Sequence, residues 1–344
     1  MSVYLVAEIG CNHNGDYEVA KKMVETAFLC GVDAVKFQAF SADALISRNA
    51  PKAEYQIETT GNGETQLEMT RKLELGREEI VRLTEYAQSL GLGAFSTPFD
   101  IGSIEFLAAN GQRLWKIPSG EITNLPYLER IGSKMNPGMK ILLSTGMSTL
   151  DEIRSCINIL VSSGANESQI TVLHCNTEYP TPDCDVNVSA IRALADAFPG
   201  CSVGFSDHSV GSVAAIEAVA LGAVVIEKHF TLDRSMPGPD QKASIEPGEL
   251  AELVRSVRRA ESMIGNGVKR VTDSERKNMV VARKSIVASR QIKKGEQFSR
   301  DNVTCKRPGN GISPMSWYEL LGMRAERDFE ADELIEAEEL PWQQ

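Results

Sequence analysis

Two histidines occupy matching positions in this chain. Each ends a short apolar run with a polar cluster, and 21 residues separate them, in Gly204-Phe205-Ser206-Asp207-His208 and Val225-Ile226-Glu227-Lys228-His229. With a helix-like stretch between them, the two runs are typical of neighbouring strands in a parallel sheet. Imidazole is the commonest protein ligand for transition metals and an acid or base near neutral pH. We therefore favour a divalent metal bound by His208 and His229 over two separately hydrogen-bonded side chains.

The bulk composition restricts the class of protein. With 344 residues, the chain has room for one large and one small domain, or two average ones. Its net charge of −11 argues against a nucleic-acid partner. Seven scattered cysteines without a CxxC pair favour the reducing cytoplasm. Neither a basic leader nor an apolar run of ~18 residues is present, so we expect no signal peptide and no membrane span.

Strand-like and helix-like segments alternate over the first 265 residues. The eight predicted strands are Tyr4–Ile9, Ala34–Phe37, Gly93–Ser96, Leu114–Ile117, Lys140–Ser144, Ile170–His174, Ser202–Ser206 and Val224–Lys228. Apolar stripes between them predict helices, among them Tyr17–Cys30, Glu78–Leu90, Leu150–Val161 and Val210–Leu221. Eight such units predict a (β/α)8 TIM barrel. An open doubly wound sheet is the alternative, but no GxGxxG motif follows the first strand.

Two further segments differ from this alternation. Ser41–Leu75 is polar and glycine-containing, and we interpret it as a partial lid on the side where strands end. Residues 266–282 are predicted to be a linker between a catalytic domain, residues 1–265, and a small, mainly β domain, residues 283–344. The small domain has β-like runs at Ser285–Ala288 and Val303–Lys306.

Polar side chains follow nearly every predicted strand, where the reactive groups of a barrel gather. Lys36 and Lys116 lie among apolar neighbours, which loop polarity explains poorly. Together with hydroxyl groups they suit phosphate and carboxylate oxygens; the donors are Lys36, Ser96, Thr97, Lys116, Ser119 and Ser206. A metal beside an anion pocket predicts a phosphorylated substrate and a carbonyl that needs polarising. His13 and His174 are weaker candidates, which could line the site or orient its neighbours.

The motifs at these strand ends resemble those of the sialic acid synthase family. They are Ala7-Glu8-Ile9-Gly10-Cys11-Asn12-His13-Asn14-Gly15, Val35-Lys36-Phe37-Gln38, Phe95-Ser96-Thr97-Pro98-Phe99, Lys116-Ile117-Pro118-Ser119-Gly120-Glu121, Ser144-Thr145-Gly146-Met147, His174-Cys175-Asn176-Thr177-Glu178-Tyr179-Pro180, Phe205-Ser206-Asp207-His208-Ser209 and Glu227-Lys228-His229-Phe230-Thr231. The segment Lys306-Arg307-Pro308-Gly309-Asn310-Gly311 is similar to the family's antifreeze-like (SAF, β-clip) C-terminal domain. The resemblance extends over essentially the whole chain, in order.

The resemblance implies a reaction. Phosphoenolpyruvate would condense with the open-chain aldehyde of N-acetylmannosamine, water would add at C2, and phosphate would leave by C–O cleavage to give N-acetylneuraminate. A divalent metal, Mn²⁺ by preference and Mg²⁺ or Co²⁺ as alternatives, would polarise the aldehyde. Synthesis of a related nonulosonic acid, legionaminic or pseudaminic, is the alternative within the family. The resemblance further implies that the N-acetylneuraminate would enter a bacterial sialic acid capsule.

The resemblance also implies roles for single residues. The metal ligands would be His208 and His229, and proton transfer would fall to Glu8 or Glu121. The phosphoenolpyruvate contacts would be Lys36, Thr97, Lys116, Ser119 and Ser206, and the sugar contacts Glu8, Gln38, Tyr179 and Asp240. Some members have asparagine at the position of Thr177, so the phosphoenolpyruvate contact falls to either Asn176 or Thr177. Arg307, in the C-terminal domain, would reach the N-acetyl group of the sugar bound to a partner subunit. This contact implies a domain-swapped homodimer.

Two other classes of function are alternatives for such a barrel. A degenerate barrel that only binds carbohydrate is disfavoured, because Glu8, Lys36, Lys116, His208 and His229 are all present. A pyruvate aldolase acting through a Schiff base on Lys116 is permitted by the position of that lysine at a strand end. It would be revealed by borohydride trapping with pyruvate, and we expect none.

Overall fold

The computed structural model describes residues 2–341. The chain forms two compact units, Met1–Gly265 and Asn266–Gln344. Within residues 2–341, no helix combines the length and the apolar character needed to cross a bilayer.

The first unit is built on a parallel sheet of eight strands, and the predicted TIM barrel is confirmed. The strands are β1 (Tyr4–Gly10), β2 (Ala34–Ala39), β3 (Gly93–Pro98), β4 (Leu114–Ile117), β5 (Lys140–Ser144), β6 (Ile170–Cys175), β7 (Ser202–Asp207) and β8 (Val225–His229). Their hydrogen-bonded order is β3-β2-β1-β8-β7-β6-β5-β4, so the first strand pairs with the last. Each strand lies where the sequence predicts it, with one or two residues added at some carboxyl ends and with β8 beginning one residue later, at Val225.

Helices follow the strands, and most of them cover the outside of the sheet. In the first unit they are α1 (Tyr17–Cys30), α2 (Ala42–Leu45), α3 (Glu54–Thr60), α4 (Gln66–Lys72), α5 (Arg77–Ser89), α6 (Ile101–Ala109), α7 (Leu125–Lys134), α8 (Leu150–Ser162), α9 (Asp183–Val186), α10 (Ala190–Ala197), α11 (Val213–Ala220) and α12 (Pro247–Ile264). Helix α1 shows the common plan. Asp16 caps its first turn by accepting from the backbone N–H groups of Glu18 and Val19, while Met23 and Ala27 are buried.

The inside of the barrel is arranged in two layers. The lower layer is apolar and consists of Val6, Ala34, Phe95, Leu142, Leu173 and Val225. Because strand side chains alternate between faces, the residues two positions later also point inward. These are Glu8, Lys36, Thr97, Ser144, Cys175 and Glu227. The apolar layer thus fills the barrel and leaves the upper layer for polar groups.

Gly204 shows how tightly the lower layer is filled. A Cβ atom at this position would lie 2.6 Å from Cδ2 of Leu173 and 2.8 Å from the carbonyl oxygen of Val225. Any side chain would therefore force β7 away from its neighbours.

The side chain of Gln112, just before β4, connects this strand to β3. These strands end the hydrogen-bonded order within the described residues. The Gln112 amide accepts from the backbone N–H of Ser96 at 2.8 Å and donates to its carbonyl at 2.9 Å. Gln112 therefore satisfies two backbone groups at a strand edge that a ladder would otherwise satisfy.

Two segments contain more helix than the sequence predicts. Ser41–Leu75 holds α2, α3 and α4, of which α4 begins with a capping box formed by Thr65 and Glu68. The predicted linker contains α13 (Asp273–Ala282), which begins with the same kind of box, formed by Thr272 and Glu275. Short capped helices without an apolar period are easily read as loops, which accounts for both differences.

The second unit is small and mainly β, as predicted. Strands β9 (Ser285–Ala288) and β10 (Val303–Lys306) pair antiparallel over their full length, and α14 (Trp317–Leu320) follows. Its core includes Ile286, Phe298 and Phe329, with the two phenylalanine rings 6.0 Å apart.

The role of Gln112 can be tested by Gln112→Leu, with Gln88→Leu as the control. The first change leaves the N–H and C=O of Ser96 unpaired and should lower the free energy of unfolding by about 1–3 kcal/mol. Gln88 is exposed and lines the same outer cavity beside the β3–β4 contact, so its replacement should change stability by less than about 0.5 kcal/mol. Urea denaturation measures both. Equal effects would show that the Ser96 groups do not need Gln112.

Candidate functional site

A cavity of about 310 Å³ opens at the carboxyl ends of the barrel strands. Eleven residues with predicted roles line it: Glu8, Lys36, Gln38, Thr97, Lys116, Ser119, Tyr179, Ser206, His208, His229 and Asp240. The strand register brings several of them together, because Glu8 pairs with both Lys36 and His229, and Gln38 pairs with Thr97.

Four buried charges, Glu8, Lys36, Lys116 and Glu227, form the floor of the cavity; we call them the charge cluster. The Lys36 ammonium lies 2.5 Å from Glu8 and 3.6 Å from Glu227, and that of Lys116 lies 2.6 Å from Glu227. Hydroxyl groups extend the network. Lys36 donates to Thr97 at 2.9 Å, and Ser206 donates to Glu227 at 2.9 Å. Two cations and two carboxylates thus balance one another in a position with little exposure to solvent.

The two carboxyl groups of the cluster differ in pKa. Burial raises the pKa of Glu8 to about 7, although the Lys36 ammonium opposes this shift. Burial would also raise the pKa of Glu227, but Lys116 and Lys36 outweigh it and hold that pKa well below its ordinary range. Glu227 is thus a fixed anion, while Glu8 can gain or lose a proton near neutral pH.

His208 and His229 stand side by side at the wall of the cavity. Their ring centroids are 5.3 Å apart, and the Tyr179 ring lies 4.2 Å from that of His208. The Tyr179 hydroxyl is 3.3 Å from Nε2 of His208, and the Nδ1 atom of His208 contacts the Asn176 carbonyl. Ser206 and Glu227 face the inside of the barrel, and each histidine follows one of them by two residues. Both histidine side chains therefore point to the inside as well.

The donor set fits a divalent metal ion. Nδ1 of His229 is buried without a hydrogen-bond partner in residues 2–341. Burial, with His208 beside it, holds the pKa of His229 well below its usual value, so this imidazole is neutral, the form that binds metals. The described residues contain no cluster of three or more His, Cys, Asp or Glu side chains suited to a metal. A metal here would have two histidine ligands and keep other positions for substrate or water.

A buried ion pair stabilises the strands behind the histidines. Lys228 and Asp207 point away from the cavity, 2.8 Å apart, with side chains at most 1% exposed. Asp207 also accepts from the backbone N–H and the hydroxyl of Ser209. The residues adjoining His208 and His229 are thereby tied together across β7 and β8.

Comparison with known proteins identifies the family. The sequence model of the NeuB family matches residues 23–269, and that of the SAF domain matches residues 283–341. The chain belongs to the NeuB family.

Relatives of this NeuB-family protein have several names. An N,N'-diacetyllegionaminic acid synthase of Campylobacter jejuni is 50% identical, over 96% of this chain and 98% of its own length. One of Legionella pneumophila is 43% identical, over 96% of this chain and 92% of its own. A crystal structure of N-acetylneuraminic acid (sialic acid) synthetase from Leptospira borgpetersenii, in complex with citrate, is 32% identical. The structural match extends over 81% of this chain and 90% of that protein's chain, with a TM-score of 0.70.

Three residues with predicted roles do not line this cavity of the NeuB-family barrel. Glu121 accepts from the Asn124 amide at 2.6 Å on the loop after β4. The Asn176 side chain accepts from the backbone N–H of Glu178 at 2.8 Å, while its neighbour Thr177 does line the cavity. Arg307 is exposed in the second unit and donates to the Ala282 carbonyl at 3.0 Å. Its reach to a partner's sugar stays a prediction.

The weaker histidine candidates also lie outside the cavity lining. His13 is buried and accepts from the backbone N–H of Gly15 at 3.0 Å, and burial lowers its pKa to about 4. His174 contacts the Val186 carbonyl at 2.7 Å. His13 thus stabilises the turn after β1, and His174 connects β6 to the end of α9.

Glu227, which is central to the charge cluster, had no predicted role. A signal was present, because Glu227 lies two residues before His229 in an apolar strand and so shares its inward face. Cys11 carried no comparable signal. Its thiol donates to the Asp240 carboxylate at 3.4 Å across 229 residues of sequence.

The Glu8 pKa predicts a pH dependence of stability that Glu8→Gln should remove. The unfolded chain ionises Glu8 near pH 4.5 and the folded protein near pH 7. Between these values only the folded state retains the proton, so the free energy of unfolding falls as pH rises. Relative to Glu8→Gln, which does not titrate, the native protein should lose at most about 3 kcal/mol over this window and change little above it.

Urea denaturation from pH 4.5 to 8.5, in a chelating buffer that keeps cations from the site, measures this difference. A difference between the two proteins that stays constant with pH would contradict the raised pKa.

Proposed function

We propose that this protein condenses phosphoenolpyruvate with 2,4-diacetamido-2,4,6-trideoxymannose to give N,N'-diacetyllegionaminic acid and phosphate. The observation that carries the proposal is the 50% identity, along nearly the full chain, to a protein named for that product. By itself, the motif resemblance favours N-acetylmannosamine as the sugar. The higher identity to two legionaminic acid synthases than to the sialic acid synthetase supports the alternative instead.

The cavity has the groups that this reaction requires. Lys36 and Lys116 supply two cations to the phosphate and carboxylate of phosphoenolpyruvate, with hydroxyl donors from Thr97, Ser119 and Ser206. These side chains fix the position of the substrate's reacting carbon before the sugar aldehyde approaches.

Glu8 is our candidate for proton transfer. It lines the cavity and Glu121 does not, and its pKa of about 7 lets it hold or release a proton at neutral pH. Gln38 donates to its Oε1 atom at 3.3 Å, which orients the carboxyl group. We propose that Glu8 exchanges a proton with the sugar oxygen atoms, and that Gln38, Tyr179 and Asp240 bind the rest of the sugar.

His208 and His229 are proposed to hold the divalent ion, with Mn²⁺ preferred over Mg²⁺ or Co²⁺. When bound, such an ion supplies Lewis-acid polarisation of a carbonyl oxygen. The protein's own contribution is two imidazoles in fixed orientation, of which that of His229 is neutral, and the Asn176 carbonyl and the Asp207–Lys228 ion pair hold them in place.

A substrate panel tests the proposed function. The purified protein is incubated with phosphoenolpyruvate, Mn²⁺ and either 2,4-diacetamido-2,4,6-trideoxymannose or N-acetylmannosamine, and released phosphate is measured. We expect kcat/KM for the diacetamido sugar to be at least about tenfold higher. Equal or faster turnover of N-acetylmannosamine would return the assignment to N-acetylneuraminate synthesis, and no turnover of either would refute both.

The metal site is tested by His208→Ala and His229→Ala, with His174→Ala as the matched control. Each of the first two should leave a folded protein that loses Mn²⁺ binding in titration calorimetry and loses turnover by at least about a hundredfold. His174 lies outside the cavity lining, so its replacement should retain both properties. Near-normal Mn²⁺ binding by either cavity variant would show that the metal has other ligands.

A further inference from the structure

The cavity has two chemically different sides. Its floor is the charge cluster, with the histidines beside it. Another side is formed by six apolar side chains, which we call the apolar wall: Phe40, Leu45, Ile46, Met69, Leu73 and Phe99. None of these residues has a role in the chemistry proposed above.

The apolar wall comes mainly from the long connection after β2. Leu45 ends α2 and Ile46 follows it, while Met69 lies in α4 and Leu73 directly after it. Met69 and Leu73 are 5% and 8% exposed, so they form the packed base of the wall. Phe40, Leu45 and Ile46 are only half-buried. They therefore retain apolar surface that a ligand can cover.

Two backbone hydrogen bonds fix the chain directly after Phe40. The backbone N–H of Ser41 donates to Asp100 at 3.0 Å, and that of Ala42 donates to Glu74 at 3.0 Å. The rings of Phe40 and Phe99 meet edge to face with centroids 6.3 Å apart. The apolar surface is thus pre-organised, which lowers the entropy cost of binding a ligand there.

We propose that the apolar wall is the subsite for the C6 methyl group of the sugar and selects 6-deoxy sugars over 6-hydroxy sugars. This inference rests on the proposed function. Gln38, a proposed sugar contact, lies on β2 two residues before Phe40, which follows the strand. The apolar wall therefore begins beside the proposed position of the sugar. A methyl group that packs against apolar side chains contributes favourable binding free energy, because apolar surface is removed from water. A hydroxyl group against these side chains would lose its water without gaining a partner.

Polar residues from the same segment also line the cavity, and they suit other parts of this sugar. Gln56, Gln66 and Thr70 are among the lining residues. Side-chain amides and hydroxyls pair well with acetamido groups. The segment thus combines apolar surface with hydrogen-bonding groups, as a sugar with one methyl and two acetamido substituents requires.

The experiment compares two diacetamido sugars that differ only at C6. Initial rates are measured with phosphoenolpyruvate, Mn²⁺ and either 2,4-diacetamido-2,4,6-trideoxymannose or its 6-hydroxy analogue. We expect the native protein to prefer the 6-deoxy sugar by roughly 10- to 100-fold in kcat/KM.

Ile46→Asn and Leu45→Asn should each lower this preference by roughly fivefold or more, mainly through a higher KM for the 6-deoxy sugar. The KM for phosphoenolpyruvate should stay unchanged, because its proposed contacts lie on the floor of the cavity. Ile101→Asn is the matched control. Ile101 is 44% exposed and lies outside the cavity lining, so its replacement should leave the preference intact.

The outcomes separate this inference from the proposed function. If the native protein uses both diacetamido sugars equally well, or if the preference survives both wall variants, the inference fails and the proposed function stands. If N-acetylmannosamine is preferred to both, the proposed function fails, and the inference fails with it because that sugar has a hydroxyl group at C6.

Discussion

The charge cluster is the constraint on which the site depends. Two ammonium groups and two carboxylates are buried at the top of the barrel, where an unpaired charge would be very costly. An anion that binds Lys36 must compete with Glu8 for the same ammonium group. Because the pKa of Glu8 is about 7, that carboxyl group can become neutral at modest cost. Glu227 lacks this freedom and keeps Lys116 positioned whether or not an anion is present.

The barrel separates the groups that stabilise it from the groups that react. Val6, Phe95 and Leu173 fill the lower layer, and residues two positions further along the same strands carry the polar chemistry. A small shift of a strand would misplace the upper layer, and the dense packing around Gly204 resists such a shift. Precision at the cavity therefore comes from apolar packing that no substrate touches.

The polar residues that follow apolar runs explain what the sequence could predict. Short apolar runs with Glu8, Lys36 and His229 at or near their ends gave the strands, the barrel and most of the cavity lining, because the reactive groups of a barrel gather where its strands end. The helices of Ser41–Leu75 and α13 were missed, since local capping rather than an apolar period specifies them. Contacts such as that of Cys11 with Asp240 depend on how distant loops meet, which local sequence does not encode. The orientation of the Asn176 side chain, turned towards its own loop, is likewise a tertiary result.

The pairing of β1 with β8 has a consequence for the order of folding. Glu8 lies in the first strand, and its neighbours across the sheet, Lys36 and His229, come from the second and the last. A chain emerging from the ribosome can form β1, β2 and β3 early, but β1 keeps one edge unpaired until residue 229 has been made. Such an edge is a template for pairing with other chains. The growing polypeptide is therefore open to misassembly through most of its synthesis, and completing the last strand ends that exposure.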